Sequence, residues 1–166
     1  MILLSLILIG CGKDPSMVIA GIESENPVVR EDMVLIARGV EDPAVTGALI
    51  GALNDSSPTV RLRAVESLAE LGATDAVGAL VARLADEDQG VRRAAIDAIG
   101  RIGDESAVEP LLEYVERATV PPLNAIWALG NLGSTNAIPL LSTLRESENQ
   151  YVAYNADTAL RKLPAR

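Results

Sequence analysis

The fold is decided by a segment that occurs three times along the chain. Residues 60–72 read VRLRAVESLAELG, residues 91–103 read VRRAAIDAIGRIG, and residues 121–133 read PPLNAIWALGNLG. In each copy apolar residues recur at i, i+1, i+4 and i+7, which is the spacing of one buried stripe on an α-helix. Each copy ends on a glycine, where a helix C-terminus favours the left-handed backbone. We name these predicted helices the A helices.

A second apolar stripe follows each glycine and predicts a B helix. Its residues are Val77, Leu80, Val81 and Leu84, then Val108, Leu111, Leu112 and Val115, then Ala137, Leu140, Leu141 and Leu144. A helix pair cannot bury its apolar face alone, so a repeat of about 30 residues with two helices predicts an all-α solenoid of stacked pairs. We predict units at 24–54, 55–85, 86–117 and 118–145, preceded by a lone B helix at 15–22 and followed by a lone A helix at about 146–163.

These residues resemble the short HEAT-like repeats that are named after phycobilisome lyases. The resemblance covers about residues 24–163. It rests on Asp-x-x-x-x-Val-Arg at 55–61 and 86–92, on the Leu/Ile-Gly pairs, and on Ala-Val or Ala-Ile followed by Leu or Ile. It implies an armadillo-type α-solenoid of about four units with half-unit caps. The resemblance indicates almost nothing about function, because repeats of this kind occur in bacterial proteins of unrelated activity.

Composition excludes several classes of function. The chain has no His and one Cys, which removes most metal sites, Ser-His triads and His bases, and with them the His-Glu iron sites of HEAT-like hydroxylases. We therefore expect no catalytic residue, cofactor or metal. The 14 basic and 23 acidic residues give a net charge of −9, which repels phosphate backbones and disfavours nucleic acid and the HEAT-like DNA glycosylases.

The N-terminus carries an apolar run, Ile2 to Ile9, followed by Gly10 and Cys11. Leu8-Ile9-Gly10-Cys11 resembles a bacterial lipobox. The resemblance implies a signal peptide at 1–10, a lipid on Cys11, and a membrane-anchored protein of the bacterial envelope that faces the periplasm, with inner and outer membrane both left open. A tether at 11–14 would then join the lipid to the solenoid, which the repeats place at 15–166. The alternative is a buried apolar helix with an incidental Cys. A transmembrane helix is disfavoured, because a bilayer core needs about 20 apolar residues.

Arg30, Arg61 and Arg92 repeat at intervals of 31 residues, and Asp55 and Asp86 do likewise. Two interpretations are open, a ladder of ligand-binding arginines or a set of structural bridges across the turns between units. We favour the bridges, because function in a repeat protein is more often carried by what differs between units.

One such difference lies on the B helices. Positions that face away from the stripe are Gly47, Gly51, Gly78 and Ala82 in the first units, Glu109, Glu113 and Tyr114 in the third, and Ile138, Ser142 and Thr143 in the fourth. We assign Glu109, Glu113 and Tyr114 to partner binding, since an acidic face steers a basic partner. A paired-carboxylate enzyme is disfavoured, because both glutamates point the same way from one helix. A merely solvated acidic face is the simpler alternative.

The other difference lies on the A helices. Trp127 occupies the repeat position that Glu66 and Asp97 occupy in the two preceding A helices. Leu123 lies one helical turn before Trp127, and Tyr154 is at the equivalent of the Leu123 position in the next A helix. Leu123, Trp127 and Tyr154 therefore predict a partner-binding patch with Trp127 as its anchor. The alternative is that the tail, residues 163–166, folds back over it.

The sequence thus predicts a non-catalytic protein–protein interaction scaffold, lipid-anchored in the envelope, with a protein partner that the sequence does not identify. The alternative function is a bilin lyase or a chaperone-like partner of one.

Overall fold

A computed structural model describes residues 14–164 of the chain. Within this range all regular structure is helical, with ten α-helices and four short 3₁₀ turns. The chain divides into two compact units, the first ending at Ala76 and the second beginning at Val77. The predicted all-α class is confirmed.

The first unit contains four helices that each begin with proline. They are α1 (Pro15–Ile22), α2 (Pro27–Ala37), α3 (Pro43–Ala52) and α4 (Pro58–Glu70), followed by the 3₁₀ turn Thr74–Ala76. The residue before the proline caps the helix in three of them, since Asp14, Asn26 and Asp42 each accept a hydrogen bond from a backbone N–H of the first turn. Proline fixes φ at a helical value, and its missing N–H costs nothing in the first turn, where that group has no partner within the helix.

The second unit continues the alternation of B and A helices. It contains α5 (Val77–Ala82, extended by the 3₁₀ turn Arg83–Ala85), α6 (Gln89–Ile102), α7 (Val108–Arg117), α8 (Leu123–Leu132), α9 (Ile138–Arg145) and α10 (Gln150–Lys162). The 3₁₀ turns Glu105–Ala107 and Thr135–Ala137 precede α7 and α9. Odd-numbered helices are the predicted B helices and even-numbered helices the A helices.

The predicted helix-ending glycines are confirmed. Gly72, Gly103 and Gly133 have φ values of +61°, +77° and +72°, and they are the residues with positive φ in the described chain. The N–H of Gly103 donates to the carbonyl of Ile99, which closes the last turn of α6 (3.1 Å). The left-handed conformation turns the chain at once toward the next B helix.

The apolar stripe of the A helices is buried as predicted. Its members at i, i+1 and i+4 are at most 1% exposed: Ala64, Val65, Leu68, Ala95, Ile96, Ile99, Ala125, Ile126 and Leu129. At i+7, next to the glycine, Leu132 is buried, while Leu71 and Ile102 are half-buried. On the B helices the prediction is partly wrong, because Val81, Leu112, Leu140 and Leu144 are only half-buried while Leu80, Leu111 and Leu141 are fully buried. Each B helix therefore buries a narrower stripe than the pattern predicts, which leaves apolar side chains along the space between B helices.

Successive A helices of the second unit approach each other closely because a glycine lies at each crossing. A Cβ built on Gly100 would be 2.9 Å from the Cα of Ala128, and one built on Gly130 would be 2.8 Å from the Cα of Ala159. Real Cβ atoms do not approach backbone atoms so closely, so only glycine fits at these crossings. The packing brings α6 onto α8 and α8 onto α10.

The repeated arginines bind the turns that precede their own helices. The Nη1 group of each donates to two backbone carbonyls, six and five residues upstream: Arg30 to Ser24 and Glu25, Arg61 to Asp55 and Ser56, and Arg92 to Asp86 and Glu87 (2.7–3.3 Å). The arginines thus supply hydrogen-bond donors to turn carbonyls that accept no hydrogen bond within a helix. The structural interpretation of the arginine repeat is confirmed.

Arg30 adds an ion pair within the first unit. Its Nε and Nη2 groups donate to the two carboxylate oxygens of Asp55 (2.6 and 2.9 Å), and both side chains are largely buried, with 14% and 10% exposed. The hydrogen bond from Arg30, more than any other contact, lowers the pKa of Asp55, and a hydrogen bond from the N–H of Ser57 acts in the same direction. Two-point pairing of this kind is the strongest form of carboxylate recognition by arginine.

Between residues 14 and 164, no helix is long and apolar enough to cross a membrane. The predicted signal peptide and Cys11 lie outside the described residues.

The glycine crossings generate a prediction about stability. Gly130→Ala should lower the free energy of unfolding by about 1–3 kcal/mol, because the added methyl group meets the backbone of α10. The matched control is Gly47→Ala on α3, where nothing lies within 4 Å of an added Cβ. That variant should be about 0.5–1 kcal/mol more stable, because alanine favours the helix. Urea unfolding followed by circular dichroism measures both, and a Gly130→Ala variant as stable as the wild type would show that the helices are not in close contact.

The Arg30–Asp55 pair generates a prediction about pH. Because the folded state lowers the pKa of Asp55, the pair stabilises the fold above the unfolded pKa of about 3.9 and loses its effect as pH falls through the folded value. Asp55→Asn should therefore cost about 1.5–3 kcal/mol at pH 7, and the difference from the wild type should shrink below about pH 4. Exposed Glu116, changed to Gln, is the control and should change stability by less than about 0.5 kcal/mol. A deficit in Asp55→Asn that is constant from pH 7 to pH 3 would contradict the pairing.

Candidate functional site

An open groove of about 490 Å³ lies between the B helices α5 and α7 of the second unit. The α5 side, with its 3₁₀ extension, is apolar and contributes Val81, Ala82, Leu84 and Ala85. The α7 side contributes Pro110, Glu113, Tyr114, Arg117 and Ala118. The groove thus brings together two of the predicted partner-binding residues, Glu113 and Tyr114, and sets them opposite aliphatic side chains.

The charged groups of α7 lie on its exposed side. Glu109, Glu113 and Glu116 are exposed at about one-turn intervals, and Arg117 is the basic side chain of the helix, so its carboxylates outnumber its cations. Glu113 Oε2 accepts a hydrogen bond from Arg117 Nη2 at 2.9 Å, with the two side chains 62% and 81% exposed. An ion pair so exposed contributes little to stability, so either member can exchange partners at low cost.

Glu109 is placed outside the groove. Its Oε1 atom accepts a hydrogen bond from Asn136 Nδ2, which belongs to the 3₁₀ turn before α9 (3.1 Å). Glu109 and Glu113 therefore have different partners, and the groove wall opposite Glu113 is apolar. The geometry lacks the opposed carboxylates that acid–base catalysis on a substrate between them needs.

The large exposed hydrophobic side chains among the described residues of the second unit lie at, or just before, the N-terminal ends of α8 and α10. They are Leu123 (40% exposed) and Tyr154 (72%), which the sequence predicts, and Val120 (66%) and Tyr151 (73%), which sequence reasoning missed. The repeat period could have found them, because Tyr151 is equivalent to Val120 just as Tyr154 is equivalent to Leu123. We name these four residues the aromatic ridge.

Trp127 lies farther along α8 and is only half-exposed. The ring occupies the space above Gly100, where an added Cβ would be 2.7 Å from the ring atom Cζ3. On its other side, the ammonium group of Lys162 is 5.7 Å from the ring centroid and donates to Asn131 Oδ1 (2.7 Å). The indole therefore belongs partly to the packing of α6, α8 and α10, and removing it affects stability as well as any partner contact.

The described part of the tail, residues 163 and 164, does not cover the predicted patch. Leu163 is buried, with 8% exposed, while Pro164 is exposed, and residues 165–166 lie outside the described chain. The group that covers Trp127 is Lys162 of α10 itself. Leu123 and Tyr154 remain exposed.

The first unit offers two further grooves beside α3. One, of about 730 Å³, separates α1 from α3, and the other, of about 540 Å³, lies between α3 and the turn after α4. Gly47 lines both and Gly51 lines the first, and an added Cβ on either, or on Gly78 of α5, would meet nothing within 4 Å. The predicted small-residue surface of the B helices is confirmed.

Among the described residues no group of three or more His, Cys, Asp or Glu side chains could hold a metal ion.

Comparison of the sequence with family models identifies the chain. The model of HEAT repeats matches residues 15–86 and 46–123, and the model of the PBS lyase HEAT-like repeat matches residues 122–145. The chain belongs to the HEAT-repeat family. Comparison with curated protein sequences gives no match.

Solved structures place the chain among armadillo and HEAT-type solenoids. It is similar to a chain in the complex of CpcE and CpcF of phycocyanin lyase from Nostoc sp. PCC7120, with 26% identity and a TM-score of 0.77. The match covers 90% of this chain but 65% of that one, so the chain spans less than two thirds of that relative. A designed armadillo repeat protein for modular peptide recognition matches at 20% identity, with a TM-score of 0.65 and coverages of 89% and 81%.

Human deoxyhypusine hydroxylase also matches, at 19% identity and a TM-score of 0.62, over 92% of this chain and 63% of that one. At this identity, as for the designed protein, the likeness concerns the fold alone.

Proposed function

We propose that this chain is a non-catalytic protein-interaction module whose partner docks on the aromatic ridge. The supporting observation is the exposure of Val120, Leu123, Tyr151 and Tyr154, four large apolar side chains. They lie at equivalent repeat positions in, or just before, the first turns of the adjacent A helices α8 and α10. Tyrosine is enriched at binding hot spots because it contributes a large, rigid apolar surface and a hydroxyl group. Trp127, half-buried behind them, would extend the contact surface.

We further propose that the module is anchored to the envelope membrane by a lipid on Cys11. The support is the lipobox-like sequence Leu8 to Cys11, which contains the single Cys of the chain. Expressed in a bacterial host and labelled with a tagged fatty acid, the wild type should incorporate the label, and Cys11→Ser should not, because serine has no thiol to carry diacylglycerol. An unlabelled wild type would refute the anchor.

A second candidate function is that of a subunit associated with a bilin lyase. It is favoured by two findings, the similarity to the phycocyanin lyase complex and the match of residues 122–145 to the PBS lyase HEAT-like repeat. In this function the solenoid would assemble with a second protein, so a protein-binding surface is required as well. The two candidates differ in what is bound: a lyase-associated chain acts on a tetrapyrrole, whereas an interaction module does not.

One capture experiment tests the ridge and separates these candidates. Immobilised wild-type protein and Tyr154→Ala are incubated with envelope extract of the source organism, and bound proteins are identified by mass spectrometry. Tyr154→Ala should weaken capture of the partner by about 2 kcal/mol, roughly thirtyfold in affinity. The control is Leu35→Ala on α2, which removes a large exposed apolar side chain (40% exposed) from the first unit and should leave capture unchanged.

Equal recovery by Tyr154→Ala and the wild type would refute docking on the ridge. In a parallel sample, a change in bilin absorbance on mixing with the purified protein would favour the lyase-associated function.

A further inference from the structure

The groove between α5 and α7 has features that the aromatic ridge lacks. It combines an apolar wall, an aromatic ring and the exposed Glu113–Arg117 ion pair within one open depression of about 490 Å³. Val81 and Leu84 form the apolar wall, Tyr114 provides the ring, and Glu113 provides the nearest carboxylate. A depression of this size holds one or two side chains of a bound segment.

The negative charge of α7 and of the whole chain determines which peptide segment the groove attracts. The carboxylates of α7 exceed its single arginine, and the whole chain carries a net charge of −9, so a cationic segment is attracted and an anionic one is repelled. The cation that lines the groove, Arg117, is held by an exposed contact to Glu113, and an arriving lysine or arginine could replace it there.

We propose that this groove binds a short cationic segment of a partner protein, with an aliphatic side chain against Val81 and Leu84 and a lysine or arginine over Tyr114 beside Glu113. The inference extends the proposed function, because it assumes a protein partner and specifies the chemistry of a second contact. A cation over a tyrosine ring is stabilised by the electrons of the ring, and the aliphatic stem of the same side chain packs on the apolar wall.

Three fluorescein-labelled heptapeptides provide the test. In the first, lysine alternates with leucine; in the second, lysine alternates with serine; in the third, glutamate alternates with leucine. Fluorescence anisotropy with the full chain should show saturable binding of the lysine–leucine peptide. The other two should bind at least about tenfold more weakly, because each lacks one of the two required features. Raising the salt concentration should weaken the binding.

Two variants and a matched control localise the binding. Tyr114→Ala should weaken the lysine–leucine peptide about tenfold, and Glu113→Gln, an exposed change that leaves the fold undisturbed, about threefold with a smaller salt dependence. Thr143 of α9 is at the position equivalent to Tyr114 but outside the groove, and its hydroxyl donates to the carbonyl of Pro139. Thr143→Ala should bind the peptide within a factor of about two of the wild type.

The inference is overturned by equal binding of the glutamate–leucine peptide, by unchanged affinity in both groove variants, or by the lack of saturable binding of the lysine–leucine peptide. Each of these results leaves the proposed function standing if capture still depends on Tyr154. Conversely, capture that is independent of Tyr154, together with peptide binding that depends on Tyr114, would refute the ridge and support the groove.

Discussion

The second unit depends on the close approach of successive A helices. The contact is possible only because Gly100 faces Ala128 and Gly130 faces Ala159, at distances where any Cβ on the glycine would overlap backbone atoms. The chain has no Phe, so its core is made of alanine and aliphatic side chains that permit this spacing. Once A helices are this close, the position of each repeat is determined by its neighbour, as in other repeat proteins.

Both candidate surfaces follow from that packing. Trp127 lies above Gly100 because the glycine leaves room for the ring. The exposed residues of the aromatic ridge lie on α8 and α10 or, for Val120, just before α8, and the close packing at Gly130 holds these two helices side by side. The B helices bury a narrower stripe, so Val81 stays accessible in the groove beside Tyr114. The surfaces therefore differ in chemistry: the ridge consists of exposed aromatic and aliphatic side chains, while the groove is apolar and is bordered by α7, whose carboxylates outnumber its single arginine.

Most of the fold could be predicted from the repeat. Three features recur at a nearly constant interval: the glycines after α4, α6 and α8, the A-helix stripe, and the turn-binding arginines. A feature that recurs in every repeat is recognisable as part of the fold. The candidate site was predicted less fully. Leu123 and Tyr154 are exposed as their register indicates, but Val120 and Tyr151 were missed because they lie at or just before the beginning of each helix, where the stripe gives little guidance.

The sequence by itself determined the class of fold, the order of helices and the polar turns, because helical periodicity, capping residues and glycine C-termini are local properties. Only the tertiary structure decided that Trp127 is partly buried under Lys162, that Glu109 and Glu113 bind different partners, and that Val81 faces a groove. These facts depend on which neighbouring helix each side chain meets. The neighbour is set by packing between residues about 30 positions apart, which no local pattern encodes.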